Sequence, residues 1–486
     1  MKYQNKTVFN SLAIKFAEQL LTKGTSVIVS IVLARLLNVE DFGVIAILTV
    51  FTNLASAIIE GGLSTSLIQL KEVDDTDYST VFYTSGLLAV VLYGVLFFTA
   101  PYIAAVYEIP ALTLYLRVIG LMLFLTPFNA TQLGYVYRNM LFKRLFISSV
   151  SASLVSGACG IVLAMMGAGV WALIAQILSA SVISVLGLFL IIPWKPKLLF
   201  SITRLKLHFS YGWKMLVASL VDTLYIDLQA LIIGKRYTQD DLGYYNNGDK
   251  YPKTLITSLN TAVQSVMLPV FAAEQDDLAV LKRTMRKTVS YSSFLLFPVM
   301  MGFAAVAENF VLIALTEKWL PCVIYLQLAC FAYAVRPINS CNLQAIKAIG
   351  RSDIFLKLTL IKKFIGIIVV IVTAFCFQTP LAIAIGVALC APLELLINII
   401  PNRKLIGYSM HEQFADIAFP LMMSLVMFVG VYSITWLSLN VWLELLIQVI
   451  VGIAIYIILS LLFRVKALKG FVNLAKQKLG RKDNTQ

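Results

Sequence analysis

Ionisable side chains recur in this chain inside stretches that are otherwise apolar enough for lipid. Lys23 stands near the middle of the first stretch, and Lys15 and Glu18, three apart, share a helical face on which they can pair. Glu60 precedes Gly61-Gly62 in the second stretch, Arg117 lies in the outer part of the fourth, and Lys214, Asp222 and Asp227 fall in the seventh. The eighth opens with Asn246-Asn247-Gly248-Asp249-Lys250 and then Lys253. Arg336 beside Pro337 is central in the tenth, Lys362-Lys363 is central in the eleventh, and Glu394 lies late in the twelfth. Each such charge costs about 2.5–3.5 kcal/mol to insert and normally faces water or protein. Adjacent lysines on a helix point about 100° apart, so Lys362 and Lys363 cannot both easily face lipid. The load predicts a solvated, mostly cationic cavity. Such a space favours an anionic ligand, and phosphate accepts both the point charge of Lys and the fork of Arg.

The candidate anion ligands are therefore Lys23, Lys250, Lys253, Arg336, Lys362 and Arg117. Glu60, Asp222 and Asp227 are suited either to bind a coupling Na+ or H+ or to neutralise nearby lysines. A polyprenyl-pyrophosphate-linked sugar would offer a pyrophosphate to the cations and hydroxyls to Asn246, Asn247, Asn339 and Asn342. Pro127 and Pro337 fall mid-span at matched positions, where proline removes a helix hydrogen bond and bends the helix. They are the candidate hinges.

The elements that must position these residues are membrane helices. The chain has 486 residues, 59% of them hydrophobic and 13% charged, with a mean hydropathy of +0.86, too apolar for a soluble domain to cover with polar surface. Long continuous apolar runs favour helices over a barrel, and at about 20 residues per crossing they make about fourteen spans. The net charge of +14 suggests nucleic acid until its distribution is read. Roughly 25 of the 39 Lys and Arg fall in loops and tails on the side of Met1, and about four on the other side. That bias places both termini in the cytoplasm and argues against a nucleic-acid partner. The acidic segment from Glu72 to Asp77 dissents, but acidic residues weigh little in topology.

Internal repetition divides the chain. Asp41-Phe42-Gly43, closing a break after Arg35, returns as Asp241-Leu242-Gly243 after Lys235, 200 positions on. Tyr115-Leu116 with Pro127-Phe128-Asn129 and Leu133 returns as Tyr325-Leu326 with Pro337-Ile338-Asn339 and Leu343, 210 positions on. The duplication predicts a six-helix lobe over 1–200 and a second over 201–410, with two further helices over 411–465 and a basic cytoplasmic tail over 466–486. Six is even, so the lobes are parallel, with the site between them. An amphipathic interfacial helix is expected over 194–210, and the outer connections at Met166-Gly167-Ala168 and Gln378-Thr379-Pro380 are too short for an outer domain.

No catalytic or metal constellation emerges. Cys159, Cys322, Cys330, Cys341, Cys376 and Cys390 form no CxxC pair and read as packing residues, and His208 and His411 read as basic-loop residues. No cofactor is called for, and the first apolar stretch is too long and charged for a cleaved signal.

The chain resembles the polysaccharide-exporter branch of the multidrug/oligosaccharidyl-lipid/polysaccharide transporter superfamily, and looks like Wzx-type O-antigen flippases and teichuronic-acid and colanic-acid exporters. The resemblance rests on residues 34–43 (Ala-Arg-Leu-Leu-Asn-Val-Glu-Asp-Phe-Gly), residues 62–69 (Gly-Leu-Ser-Thr-Ser-Leu-Ile-Gln), Tyr211-Gly212-Trp213-Lys214, Leu242-Gly243-Tyr244-Tyr245-Asn246 and Glu317-Lys318-Trp319. Their order and spacing extend it over about residues 5–410. The resemblance implies an all-α, MATE-like polytopic inner-membrane protein with a central cationic cavity lined by the first, second, seventh and eighth spans. It also implies flipping of undecaprenyl-diphosphate-linked glycans, for O-antigen, lipopolysaccharide or capsule, by cation-coupled alternating access. Membrane lipids surround such a protein, and a polysaccharide polymerase and glycosyltransferases are candidate partners. The rival on the same fold, a cation-coupled multidrug or metabolite exporter, would favour carboxylates and aromatics in its cavity. A membrane glycosyltransferase would need larger outer loops than these.

Overall fold

The computed structural model describes residues 5–70, 72–139, 141–437 and 439–463, together with 465 and 468. Among the described residues all regular structure is helical. Helices α1 (Asn5–Leu36), α2 (Val39–Glu60), α3 (Leu63–Gln69), α4 (Asp75–Tyr107), α5 (Leu112–Ile119), α6 (Thr126–Arg138), α7 (Phe142–Met165), α8 (Val170–Ile191), α9 (Ile202–Arg236) and α10 (Gln239–Ala273) come first. They are followed by α11 (Leu278–Ala305), α12 (Ala307–Ala314), α13 (Val323–Ala334), α14 (Arg336–Ala348), α15 (Ser352–Cys376), α16 (Pro380–Leu405), α17 (Met410–Tyr432) and α18 (Val441–Leu462).

Thirteen helical stretches among the described residues are long and apolar enough to cross a membrane. The chain is an all-α polytopic membrane protein. The expected fourteenth span falls on α10, whose 35 residues are long enough to cross and whose charges lie in its first half. It carries Asp240, Asp241, Asp249, Lys250 and Lys253, a load that only a wet or protein-lined face tolerates.

The chain forms two compact units, 1–246 and 247–486, and the boundary falls inside α10. In the first unit α7 packs on α1 and α8, while α2 is surrounded by α4, α5, α6, α8 and α9. In the second, α11 packs on α13, α14 and α17, α15 on α16, and α18 on α12 and α17.

Local chemistry sets the helix ends. Asp74 and Asp77 form a capping box at the start of α4, as Ser409 and Glu412 do at α17, satisfying backbone N–H groups that no helical carbonyl reaches. After Glu60 the chain breaks at Gly61 and Gly62, whose φ values of 53° and 69° favour glycine, and restarts as α3. The short connections at 166–169 and 377–379 join α7 to α8 and α15 to α16.

The duplicated prolines lie inside single crossings, Leu112–Arg138 and Glu317–Ala348, but at breaks between helical segments rather than within a continuous helix. Pro127 and Pro337 occupy the first turn of α6 and α14, each beginning a new segment within one longer crossing. A first-turn proline loses no hydrogen bond of its own helix, but its missing N–H and its ring keep the preceding helical segment from running on into it. The segment 194–210 also departs from expectation. It is non-helical up to Ser201, and its remainder is the first part of α9, continuous with the seventh crossing. Trp194, buried against Tyr78 at 5.4 Å between ring centroids, pins the extended part to α4. Burying a side chain of this kind stabilises by about 1.5–3 kcal/mol.

The repeated Asp-x-Gly turns meet each other. Asp41 caps α2 by accepting from the Asn38 N–H at 2.9 Å, and Asp241 caps α10 by accepting from the Thr238 N–H at 3.2 Å. Gly43 and Gly243, the fifth residues of their helices, then cross in close contact. A Cβ on Gly43 would lie 2.0 Å from the Gln239 carbonyl oxygen, and one on Gly243 would lie 2.5 Å from that of Val39. A second approach joins the α2–α3 break to α9, where a Cβ on Gly62 would lie 2.4 Å from the Gly212 oxygen.

Candidate functional site

In the second unit, α10 turns Asp249 and Lys253 to one face because they are four residues apart. Lys253 Nζ lies 3.4 Å from Asp249 Oδ2, with the two side chains 42% and 26% exposed. The Tyr333 hydroxyl of α13 donates to Asp249 Oδ1 at 2.5 Å. Three residues further, the Arg336 guanidinium stands 5.2 Å from the centre of the Tyr333 ring, within cation–π range. Lys253 thus pairs with Asp249, and Arg336 lies against the tyrosine that holds the same carboxylate. Lys250, on the same helix, is half-buried and engaged. Such an open, cation-rich cluster suits a polyanionic group with several acceptor oxygens.

The first unit holds the expected acidic residues on other faces. Asn53 of α2 donates to Asp227 Oδ2 of α9 at 3.4 Å, linking the second and seventh crossings. Asp222, five residues earlier on α9, is exposed and makes its own contacts. Lys23 on α1 is exposed and has no charged partner among the described residues. Glu60 is exposed at the C-terminus of α2, against the Gly61-Gly62 break.

Not every expected cation is available. Arg117 lies across the Phe97 ring at 4.1 Å and donates through Nε to the Phe97 carbonyl at 3.3 Å, which ties α5 to α4. Lys362 and its neighbour Lys363 are half-buried on α15, each with a partner. Lys253 and Arg336 are the expected cations that share a cluster.

Both histidines lie in helices, contrary to the loop positions expected. His411 is in the first turn of α17, and His208 is fully buried in α9. His208 Nε2 is 3.1 Å from Asp77 Oδ1, its Nδ1 is 2.7 Å from Ser66 Oγ, and Arg204 approaches Asp77 Oδ2 at 3.5 Å. Burial lowers the proton affinity of the His208 imidazole, against the opposing pull of Asp77. Asp74 is held below the usual carboxylate range by the backbone N–H of Asp77. Lys197 pairs with Asp75, and Arg204 reaches Asp74 at 3.4 Å. Lys197 before α9 and Arg204 in its first turn therefore offset the acidic segment that dissents from the charge bias. A matching staple closes the second unit. Arg286 meets Asp416 through two 2.8 Å bonds, and the Tyr408 hydroxyl donates to Asp416 at 2.7 Å.

An apolar groove of about 440 Å³ runs between α11, α17 and α18, lined by Phe294, Pro298, Gly302, Met427, Gly452 and Tyr456 among others. Its size and lining suit a hydrocarbon chain.

Spacing does not mark Asp249 or Tyr333 as site residues, since a carboxylate in a cation-rich stretch reads as mere neutralisation. Their pairing bridges 84 positions, a distance no local pattern spans.

Comparison with known proteins agrees with this architecture. The family model described as polysaccharide biosynthesis protein matches residues 32–324. Over 422 residues the chain is 24% identical to the lipopolysaccharide biosynthesis protein WzxC of Escherichia coli (strain K12), covering 85% of this chain and 84% of that one. It is 25% identical over 310 residues to the teichuronic acid biosynthesis protein TuaB of Bacillus subtilis (strain 168), covering 62% of this chain and 63% of that one. Among solved structures, the lipid II flippase MurJ in an inward closed conformation superposes with a TM-score of 0.77 at 17% identity, over 94% of this chain and 99% of that chain. An inward-facing multidrug resistance MATE family transporter gives 0.60 at 16% identity, over 80% and 96%.

Proposed function

The chain belongs to the polysaccharide biosynthesis protein family, and from that premise we propose that it flips an undecaprenyl-diphosphate-linked oligosaccharide across the inner membrane by alternating access. The observation that carries the substrate class is the polar helix α10. There Lys253 pairs with Asp249, whose other oxygen is held by Tyr333 of α13, and Arg336 of α14 lies against that tyrosine ring. A diphosphate satisfies two cations at once, and the apolar groove beside α18 accommodates part of a prenyl chain. A drug exporter selecting organic cations would be ill served by a cation-rich cluster, which repels its cargo.

Lys23, Lys250 and Lys253 are the principal phosphate ligands in this reading, with Arg336 and Lys362 supporting them. Asp227, Asp222 and Glu60 hold the coupling Na+ or H+, and the breaks before Pro127 and Pro337 bend as access alternates. Both termini face the cytoplasm, the repeat divides the sequence near residue 200, and glycosyltransferases and a polymerase act before and after this step. No bond is made or broken in such a cycle, so no catalytic residue is required.

The cell-based test is deletion of the gene, with lipid-linked oligosaccharide assayed on each side of the inner membrane. Accumulation on the cytoplasmic side and loss of surface glycan are expected, and Lys253→Ala should reproduce both at normal protein level. Intact surface glycan without accumulation would remove the flippase reading.

A further inference from the structure

Asp249 stands where it competes with the ligand. Its two carboxylate oxygens are divided between partners: Oδ1 accepts from the Tyr333 hydroxyl, and Oδ2 faces the Lys253 ammonium. The tyrosine bond is short, whereas the lysine contact, at 3.4 Å, is loose and solvent-exposed. A loose exposed pair is weak and readily exchanged. The hydroxyl fixes the carboxylate, so the ammonium is the mobile member, and its flexible four-carbon stem lets it swing to another anion. Arg336 lies against the ring of Tyr333, 5.2 Å from its centre, on the tyrosine that holds the carboxylate.

We propose that Asp249 is a built-in counter-anion, a specificity-determining residue that occupies Lys253 until a lipid-linked diphosphate displaces it and that reclaims Lys253 when the substrate departs. The inference rests on the flippase reading above, since it takes Lys253 as a phosphate ligand. Its consequence is selective. A monoanion offers Lys253 no more than Asp249 already does, whereas a diphosphate brings additional charge that also engages Arg336. The carboxylate therefore discriminates against singly charged lipids at a modest cost in affinity, and it speeds release by offering Lys253 a replacement partner.

The test compares Asp249→Asn, Tyr333→Phe and Lys253→Ala in the full-length protein. Polyprenyl diphosphate and a singly charged phospholipid serve as probes for binding, and proteoliposomes serve for flipping. Asp249→Asn keeps an oxygen for the Tyr333 hydroxyl and removes only the competing charge. Diphosphate binding should tighten about 2- to 5-fold, the scale of an exposed pair. The maximal flipping rate should fall by a similar factor, and the preference over the monoanion should shrink. Tyr333→Phe removes the hydrogen bond but leaves the charge, so it should not tighten binding. Asp249→Ser repeats the test should the asparagine variant fold poorly. Unchanged or weaker diphosphate binding in both Asp249 variants, with Lys253→Ala impaired, would overturn the counter-anion role and leave the flippase reading standing. Unchanged binding in Lys253→Ala as well would overturn both.

Discussion

Substituting Gly43 by alanine places a methyl group 2.0 Å from the Gln239 carbonyl oxygen and 2.7 Å from its carbon. Real Cβ contacts are not closer than 3.0 Å, so the turns at the starts of α2 and α10 must separate by about 1 Å. The obstacle is backbone inside a capped first turn, which cannot rotate away as a side chain can. Overpacking of this kind costs about 1–3 kcal/mol. For a unit of this size that corresponds to a melting midpoint lower by roughly 4–8 °C, taking about 2 kcal/mol. Gly243→Ala meets the Val39 oxygen at 2.5 Å and should cost less. The double variant should cost less than the sum, because one separation of the turns relieves both clashes. Gly94→Ala is the control, since a Cβ there meets nothing within 4 Å, and helix propensity makes it neutral or stabilising. Midpoints in detergent, read by fluorescence-detected size exclusion after heating, rank the variants. A Gly43→Ala midpoint equal to that of Gly94→Ala would refute the crossing.

Two further outcomes follow from other parts of the fold. His208 has its proton affinity lowered by burial, so the folded state favours the neutral ring. That contribution is complete above the ordinary imidazole value of about 6.5 and is lost as pH falls through the lowered folded value. Asp77 and Arg204 face the ring, so the midpoint advantage of the wild type over His208→Gln should shrink between about pH 7.5 and pH 5.5, and a constant advantage would contradict the assignment. Pro337→Ala lets α13 and α14 merge, and export should slow by about tenfold, equivalent to about 1.4 kcal/mol in the barrier, at unchanged thermal stability. Export at the wild-type rate would assign the break to packing alone.

Much of the architecture is legible in the sequence because crossing a membrane demands it. Apolar length locates thirteen crossings among the described residues, and α10 joins a charged first half to the apolar run at 255–272. The repeated Asp-x-Gly reads as a turn, and Asp41 and Asp241 do cap the helices that follow. That the two copies touch each other is a tertiary fact with no signature in spacing. His208 shows the converse. Its basic neighbours Arg204 and Lys206 suggest a solvated loop, and only the folded arrangement of Ser66, Asp77 and α9 buries it. Intramembrane cations are visible as residue types, but their fates divide according to partners far along the chain. Arg117 closes on Phe97, whereas Lys253 shares Asp249 with Tyr333.

The central claim is that a lipid-linked diphosphate crosses the bilayer through this protein. Its most direct test uses proteoliposomes loaded with a fluorescent undecaprenyl-diphosphate oligosaccharide, the inner-leaflet fraction being read by its protection from an added glycosidase. With the wild type, protection should fall toward zero on a timescale set by protein concentration, and Lys253→Ala should retain most of it. Protection equal to that of protein-free vesicles, with correctly folded protein and a coupling-ion gradient of either Na+ or H+ imposed, would contradict the account.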